Sequence, residues 1–260
     1  MNRNIRRFGD LVIAAALVIV WSGVTVSAQL RGRDLTDLDA SNAGRGRGAP
    51  VGKTPKESAP IDLTGYWVSI VSEDWRFRMV TPPKGDFPNF LLTPDATKLA
   101  NAWDPAKDEA VKDHCKAYGA PNIMRVPSRF HITWADDRTL KLETDAGNQI
   151  RLFHFGAPLA TPGPATRQGY STARWEGRTL SVATNNLLPG YLQNNGAPFS
   201  AQAAMTETMD IIKEPGGETW AIISAIVSDP AYLTRTMVRS THLRKQADGT
   251  GWDPSPCVVR

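Results

Sequence analysis

The stretch Ile61-Asp62-Leu63-Thr64-Gly65-Tyr66-Trp67-Val68-Ser69-Ile70-Val71 decides how the rest of the chain reads. Before it, Gly, Arg, Pro and Ser dominate and apolar side chains are sparse. After it, β-branched and aromatic residues recur in short alternating runs bounded by turn residues. Such runs suit a pleated, half-buried surface. The folded part therefore starts at about residue 61 and is mainly β.

Toward the N-terminus, residues 29–60 lack the apolar surface needed to offset ordering entropy, and read as a flexible linker. Gly44-Arg45-Gly46-Arg47-Gly48 reads as part of that solvated linker, with a polyanion-binding arm as the alternative. Residues 1–28 read as a signal peptide. Arg3, Arg6 and Arg7 form a basic head, Leu11 to Trp21 is apolar, and Val26-Ser27-Ala28 is a small-residue cleavage site. The apolar run falls short of the roughly 20 residues of a membrane span, so cleavage is expected after Ala28, with a periplasmic or secreted product and no membrane span. Removing the signal leaves 27 basic against 25 acidic side chains, a net charge of +2. That excess is too small to argue for nucleic acid.

Toward the C-terminus, Thr93-Pro94-Asp95 is a helix start with Pro in the first turn, and Asp104-Pro105 restarts a second helix. These form a short helical insertion near 93–115, in which Leu99 and Trp103 share a face. Strands are expected at Tyr66–Val71 and Trp75–Val80, and then at Arg129–Trp134, Thr139–Thr144, Gln149–Phe155, Tyr170–Trp175, Thr179–Asn185, Met205–Lys213, Thr219–Ser228 and Leu233–Arg244. Tight connections such as Glu176-Gly177-Arg178 make sequential strands antiparallel neighbours. An antiparallel meander of about 8–10 strands curls or closes into a barrel, here the single domain 61–260. Two longer loops, Gly156–Gln168 and Leu187–Ser200, are candidate rims.

Thr64-Gly65-Tyr66-Trp67 resembles the Gly-x-Trp that opens lipocalins and related calycin-type barrels. The resemblance implies a lipocalin-like barrel in which Gly65 and Trp67 close one end. It also implies a cation from the last strand, Arg239 or Arg244, packed on the Trp67 ring. Asp136–Phe153, Gln168–Leu180, Met205–Thr208 and Ser228–Tyr232 also look like a large group of exported bacterial proteins, mostly of unassigned function. That likeness implies fold and export, not chemistry.

Candidate chemistry is distributed. His131, Glu143 and His154 fall on three successive strands, and two imidazoles with a carboxylate suit a metal, or acid/base work on a bound substrate, if they converge. An exterior polar face is the other reading, and no spaced metal motif accompanies them. In Asp74-Trp75-Arg76-Phe77-Arg78, alternation puts Trp75 and Phe77 on one face and Arg76 and Arg78 on the other. If the arginine face points inward it makes a cationic floor suited to a carboxylated ligand. Trp134, Tyr170, Asn185 and Tyr191 complete the candidate ligand-binding set, with Arg167 and Asn186 beside the long loops. Cys115 and Cys257 read as a disulfide in an oxidising compartment, with two unpaired thiols as the alternative. No Gly-x-Gly-x-x-Gly, phosphate loop, Gly-x-Ser-x-Gly or Cys-x-x-Cys occurs, which argues against dinucleotide enzymes, kinases and α/β-hydrolases.

The leading expectation is an exported barrel that binds a small apolar or amphipathic molecule without a cofactor or metal. The alternatives are a cofactor-independent isomerase, hydratase or lyase working inside the barrel, and a non-catalytic envelope-associated interaction protein.

Overall fold

The computed structural model describes residues 52–88, 90–157 and 163–259. The signal segment and residues 29–51 of the linker lie outside them. The chain runs β1 (Gly65–Ile70), α1 (Trp75–Met79), α2 (Pro94–Ala102), α3 (Pro105–Ala110), α4 (Ala120–Ile123), β2 (Arg129–Trp134), β3 (Thr139–Thr144) and β4 (Ala146–Gly147). It continues with β5 (Ile150–Phe155), β6 (Tyr170–Glu176), β7 (Thr179–Asn185), β8 (Gly190–Gln193), β9 (Ala197–Phe199), β10 (Ala204–Lys213), β11 (Thr219–Ser228), β12 (Met237–Lys245) and β13 (Ser255–Pro256).

Nine strands close into a barrel in the order β1-β12-β11-β10-β7-β6-β5-β3-β2. A ring in which all neighbours are antiparallel needs an even strand count, so nine strands require a parallel pair. That pair is β5–β6, with Phe153 opposite Ser171 and Phe155 opposite Ala173. A parallel neighbour needs a crossover, which falls to the connection between Phe155 and Tyr170. Its length is thus topological. Lipocalins, with eight up-and-down strands, have no such pair.

The alternation within strands fixes which face is inside. Trp67, Phe130, Leu142, Phe153, Leu180, Ile223 and Leu243 are at most 1% exposed and belong to one core cluster. A barrel of this size is just wide enough for side chains to fill, and here they do. At the end where β1 begins and β12 finishes, short turns join β2 to β3, β6 to β7 and β10 to β11. At the other end gather residues 71–128, the β7–β10 connection with β8 and β9, and the β11–β12 turn. A second cluster around Phe90, Leu192, Phe199, Met205 and Met237 caps that end. Near it, inside the barrel, Arg151 donates from Nη1 to Glu207 Oε1 at 2.9 Å and from Nη2 to Oε2 at 2.5 Å.

Two expectations are corrected. Trp75–Met79 is a short helix, not a strand. Asp74 sits in the left-handed region (φ 48°) and turns the chain, after which the Phe77 and Arg78 amides donate to its carbonyl. Alternation over four residues cannot register that turn. The cation on Trp67 is Lys245, with Nζ 5.4 Å from the ring centroid. Arg244 points outward and pairs with Glu218 at 3.3 Å, and Arg239 lies toward the opposite end, over Phe90. The last strand runs one residue beyond Arg244, and that residue falls opposite Trp67 in register.

Residues 54–58 pack on the turn-rich end. The Trp175 indole donates to the Pro55 carbonyl at 3.1 Å, and the Lys56 amide donates to the Asp137 carbonyl at 3.2 Å. Cys115 and Cys257 are bonded. The bridge fastens the tail, whose β13 runs parallel to β4, beneath the helical insertion. Among the described residues no helix is long and apolar enough to cross a membrane.

Candidate functional site

The covered end carries a cleft of about 220 Å³ between the helical insertion and the β8–β9 hairpin. Its walls are Leu99 and Trp103 from the insertion, Tyr191 and Phe199 from the hairpin, and Tyr232 from the β11–β12 turn, with Lys116 at one side.

Local sequence builds this arrangement. The Thr93 hydroxyl caps α2 by accepting from the Ala96 amide at 3.3 Å, and Pro94 opens the helix. Asp104 caps α3 in the same way, accepting from the Ala106 amide at 3.0 Å. Trp103 sits at the break between the two helices, its amide donating to the Ala100 carbonyl. The break turns its ring onto the hairpin, where it meets Tyr191 edge-on at 6.3 Å. Gly196 permits this approach: a Cβ there would lie 2.2 Å from the Trp103 ring, and its φ of +85° disfavours other residues.

One buried carboxylate holds the walls. Asp108 is 4% exposed. It accepts from the Tyr191 hydroxyl at 2.8 Å, from the Trp103 indole at 3.3 Å, and from the Lys116 ammonium. Burial, reinforced by donation to Asp108, raises the Tyr191 hydroxyl well above its ordinary pKa. Arg167 fastens the outer side, with Nη2 bound to both Asp113 oxygens at 2.6 and 2.5 Å and Nη1 to the Pro189 carbonyl. The aromatic surfaces are therefore positioned before any ligand arrives, and they offer stacking and apolar contact with few free polar groups.

The structure gathers the expected site residues into several places. Tyr191 belongs to the cleft. Arg78 is buried at the covered end, bound to Glu73. Arg76 is exposed and pairs with Asp86 at 3.0 Å, and Trp75 is 63% exposed, so these two make no common floor with Arg78. Trp134 packs on Phe155 at 5.4 Å near the turn-rich end. Asn185 is exposed at the end of β7, opposite Tyr170.

His131 and Glu143 do meet, but on the outer wall. They are register partners on β2 and β3, with His131 Nδ1 3.3 Å from Glu143 Oε2. Lys141 shares that carboxylate at 3.0 Å, and Tyr66 stacks on the imidazole at 4.1 Å. His154 is also outward, beside the Thr139 hydroxyl at 3.5 Å and stacked on Tyr170 at 5.1 Å. Phe153 and Phe155, its neighbours in sequence, take the inward positions. The barrel interior thus contains none of the three. Asp108, Lys116, Phe199 and Gly196 escaped the sequence reading. The Leu99/Trp103 spacing, the Trp-Asp-Pro break, and Tyr191 within the Leu187–Ser200 loop were its signals of the cleft. No protein-family model matches the chain, and comparison with curated proteins gives no match, so geometry alone carries the functional reading.

Proposed function

We propose that this chain is an exported barrel protein that binds a small, largely apolar molecule in the cleft between the helical insertion and the β8–β9 hairpin. The observation that carries the reading is Asp108, which holds Trp103 and Tyr191 in place as adjoining aromatic walls of the cleft. Pockets for drug-sized ligands run from about 300 Å³ upward, so a cleft of about 220 Å³ suits a molecule of one or two rings. The barrel serves as the frame, because its interior is occupied by its own side chains.

Export is supported by the basic-apolar-small pattern of residues 1–28 and by the Cys115–Cys257 bridge, a bond that persists in oxidising compartments. The lipocalin resemblance is supported by the closed barrel and by Trp67 buried beneath a cation. The ninth strand and the parallel pair set this chain apart from the eight-stranded pattern.

Native mass spectrometry of protein purified from its own envelope tests the proposal. The expected result is a bound species of low mass that is lost from Trp103→Ala while the β-sheet circular dichroism is kept. A wild-type protein that carries no such species, and whose tryptophan fluorescence is unmoved by naphthalene-sized aromatics, would overturn it.

A further inference from the structure

We propose a second site, on the outer wall of the barrel, where Ser240, His242 and Glu73 form a nucleophile, base and orienting carboxylate that hydrolyse short-chain carboxylic esters. It goes beyond the cleft reading and shares no residue with the cleft.

Strand β12 and the end of β1 build it. Ser240 and His242 stand two apart on β12 and both point outward, while Thr241 and Leu243 take the buried positions. Ile70, the last residue of β1, is the register partner of His242. The chain therefore leaves the barrel beside the imidazole, and the residues that follow reach its Nδ1. Ser72 Oγ lies 2.9 Å from Nδ1, and Glu73 Oε2 lies 3.5 Å from it. On the other side of the ring, Ser240 Oγ lies 3.3 Å from Nε2. Glu73 is anchored through its second oxygen, Oε1, which accepts from the buried Arg78.

Each proton in this chain of contacts has one place to go. The Ser72 hydroxyl has a single proton, and it donates that proton to Glu73 Oε2 at 3.0 Å. Ser72 then accepts from His242, so the ring carries its proton on Nδ1, facing a hydroxyl oxygen and a carboxylate. Nε2 of the neutral ring is left as an acceptor. Ser240 is accordingly the donor in the remaining contact. These directions are the ones a serine nucleophile, its base and an orienting acid require. Such sets are recognised by geometry and not by sequence order, so the lack of Gly-x-Ser-x-Gly does not bear on this one. The His242 and Glu73 side chains are 31% and 24% exposed, which leaves the imidazole within reach of solvent.

The neighbouring side chains narrow the substrate. Ser224, exposed on β11, is the register partner of Ser240 and supplies a hydroxyl on the same face, beside the developing oxyanion. One step further along that face, the partners Val238 and Ile226 are 60% and 45% exposed. They give a short acyl chain an aliphatic surface. In the reaction, Ser240 Oγ adds to the ester carbonyl carbon as its proton passes to His242 Nε2. The bond from that carbon to the alcohol oxygen breaks as Nε2 protonates the leaving oxygen. Water then adds to the acyl-serine, giving a proton to Nε2. The carboxylic acid leaves as Ser240 Oγ takes that proton back.

The test uses the full mature chain with its disulfide intact. p-Nitrophenyl butyrate and p-nitrophenyl acetate serve as substrates. A fluorophosphonate, which bonds to a nucleophilic Ser Oγ with loss of fluoride, serves as the covalent probe, and peptide mass spectrometry locates its adduct. Hydrolysis above the buffer rate and an adduct on Ser240 are expected, both lost in Ser240→Ala. His242→Gln should slow both about tenfold or more. Nitrogen-15 spectra of labelled histidine should place the His242 proton on Nδ1. No adduct on Ser240, hydrolysis unchanged in Ser240→Ala, or a neutral His242 with its proton on Nε2 overturns the site. Val238→Ser should lower kcat/KM for the butyrate more than for the acetate, and a fall no larger for the butyrate overturns the placement of the acyl chain.

Discussion

The Tyr191 hydroxyl donates to Asp108 Oδ2 at 2.8 Å across 83 residues of sequence. It thereby joins the β8–β9 hairpin to the helical insertion. Asp108 also holds Trp103 and Lys116, so its loss leaves two side-chain donors of the cleft unmet, while the partly exposed Lys116 can turn to water or to Asp113. Asp108→Ala is expected to cost about 2–3 kcal/mol in urea unfolding, and Tyr191→Phe about 1 kcal/mol. The reverse order would show that Asp108 does not organise the cleft.

The same bond has a signature in alkaline solution. Burial and donation to Asp108 raise the Tyr191 pKa above its model-compound value of 10.0. The folded state therefore keeps a proton that the unfolded state gives up. Its stabilising contribution is complete below pH 10 and is lost as the pH rises beyond that, because the unfolded chain then binds fewer protons. Spectrophotometric titration should show one tyrosine ionising above the model-compound value, and Tyr191→Phe should remove it. Stability in the variant should fall less steeply above pH 10 than in wild type.

Arg151 and Glu207 form an ion pair with side chains 0% and 1% exposed. Arg151 also reaches Thr184 at 3.4 Å and lies over Phe153 at 4.9 Å. Removing one partner strands the other charge, so Glu207→Ala should destabilise by about 3–5 kcal/mol. The double change Arg151→Met with Glu207→Leu removes both charges and should recover most of that loss. Guanidinium unfolding of the three proteins decides the point. A double variant no better than the single one would mean that the pair, and not merely charge balance, holds the barrel.

The barrel was legible in the sequence where alternation persisted over six or more residues between plain turns. Arg129–Trp134, Thr139–Thr144, Thr179–Asn185 and Thr219–Ser228 match their strands residue for residue. The parallel pair was not legible, because the crossover after Phe155 has the composition of any loop. Nor was the site. In Pro105-Ala-Lys-Asp-Glu-Ala, Asp108 has the appearance of a solvated helix face, and only Trp103, Lys116 and Tyr191 together make it buried. The faces of His131, Glu143 and His154 followed from packing: inward positions went to Phe130, Leu142 and Phe153, which left the titratable residues outside.

Lys245 holds Trp67 from one side while the Trp67 indole donates to the Leu63 carbonyl at 2.9 Å. Trp67 is wholly buried, whereas the Lys245 side chain is 32% exposed and lies 3.6 Å from Asp62. The two therefore matter unequally. Trp67→Ala should cost about 3–5 kcal/mol through the cavity it leaves. Lys245→Ala should cost about 0.5–1 kcal/mol, the range of a partly exposed cation on an aromatic face. Lys245→Arg should be close to neutral, since a guanidinium stacks on the same ring. Equal losses for Trp67→Ala and Lys245→Ala in urea unfolding would show that the cation, rather than the volume of the indole, closes this end of the barrel.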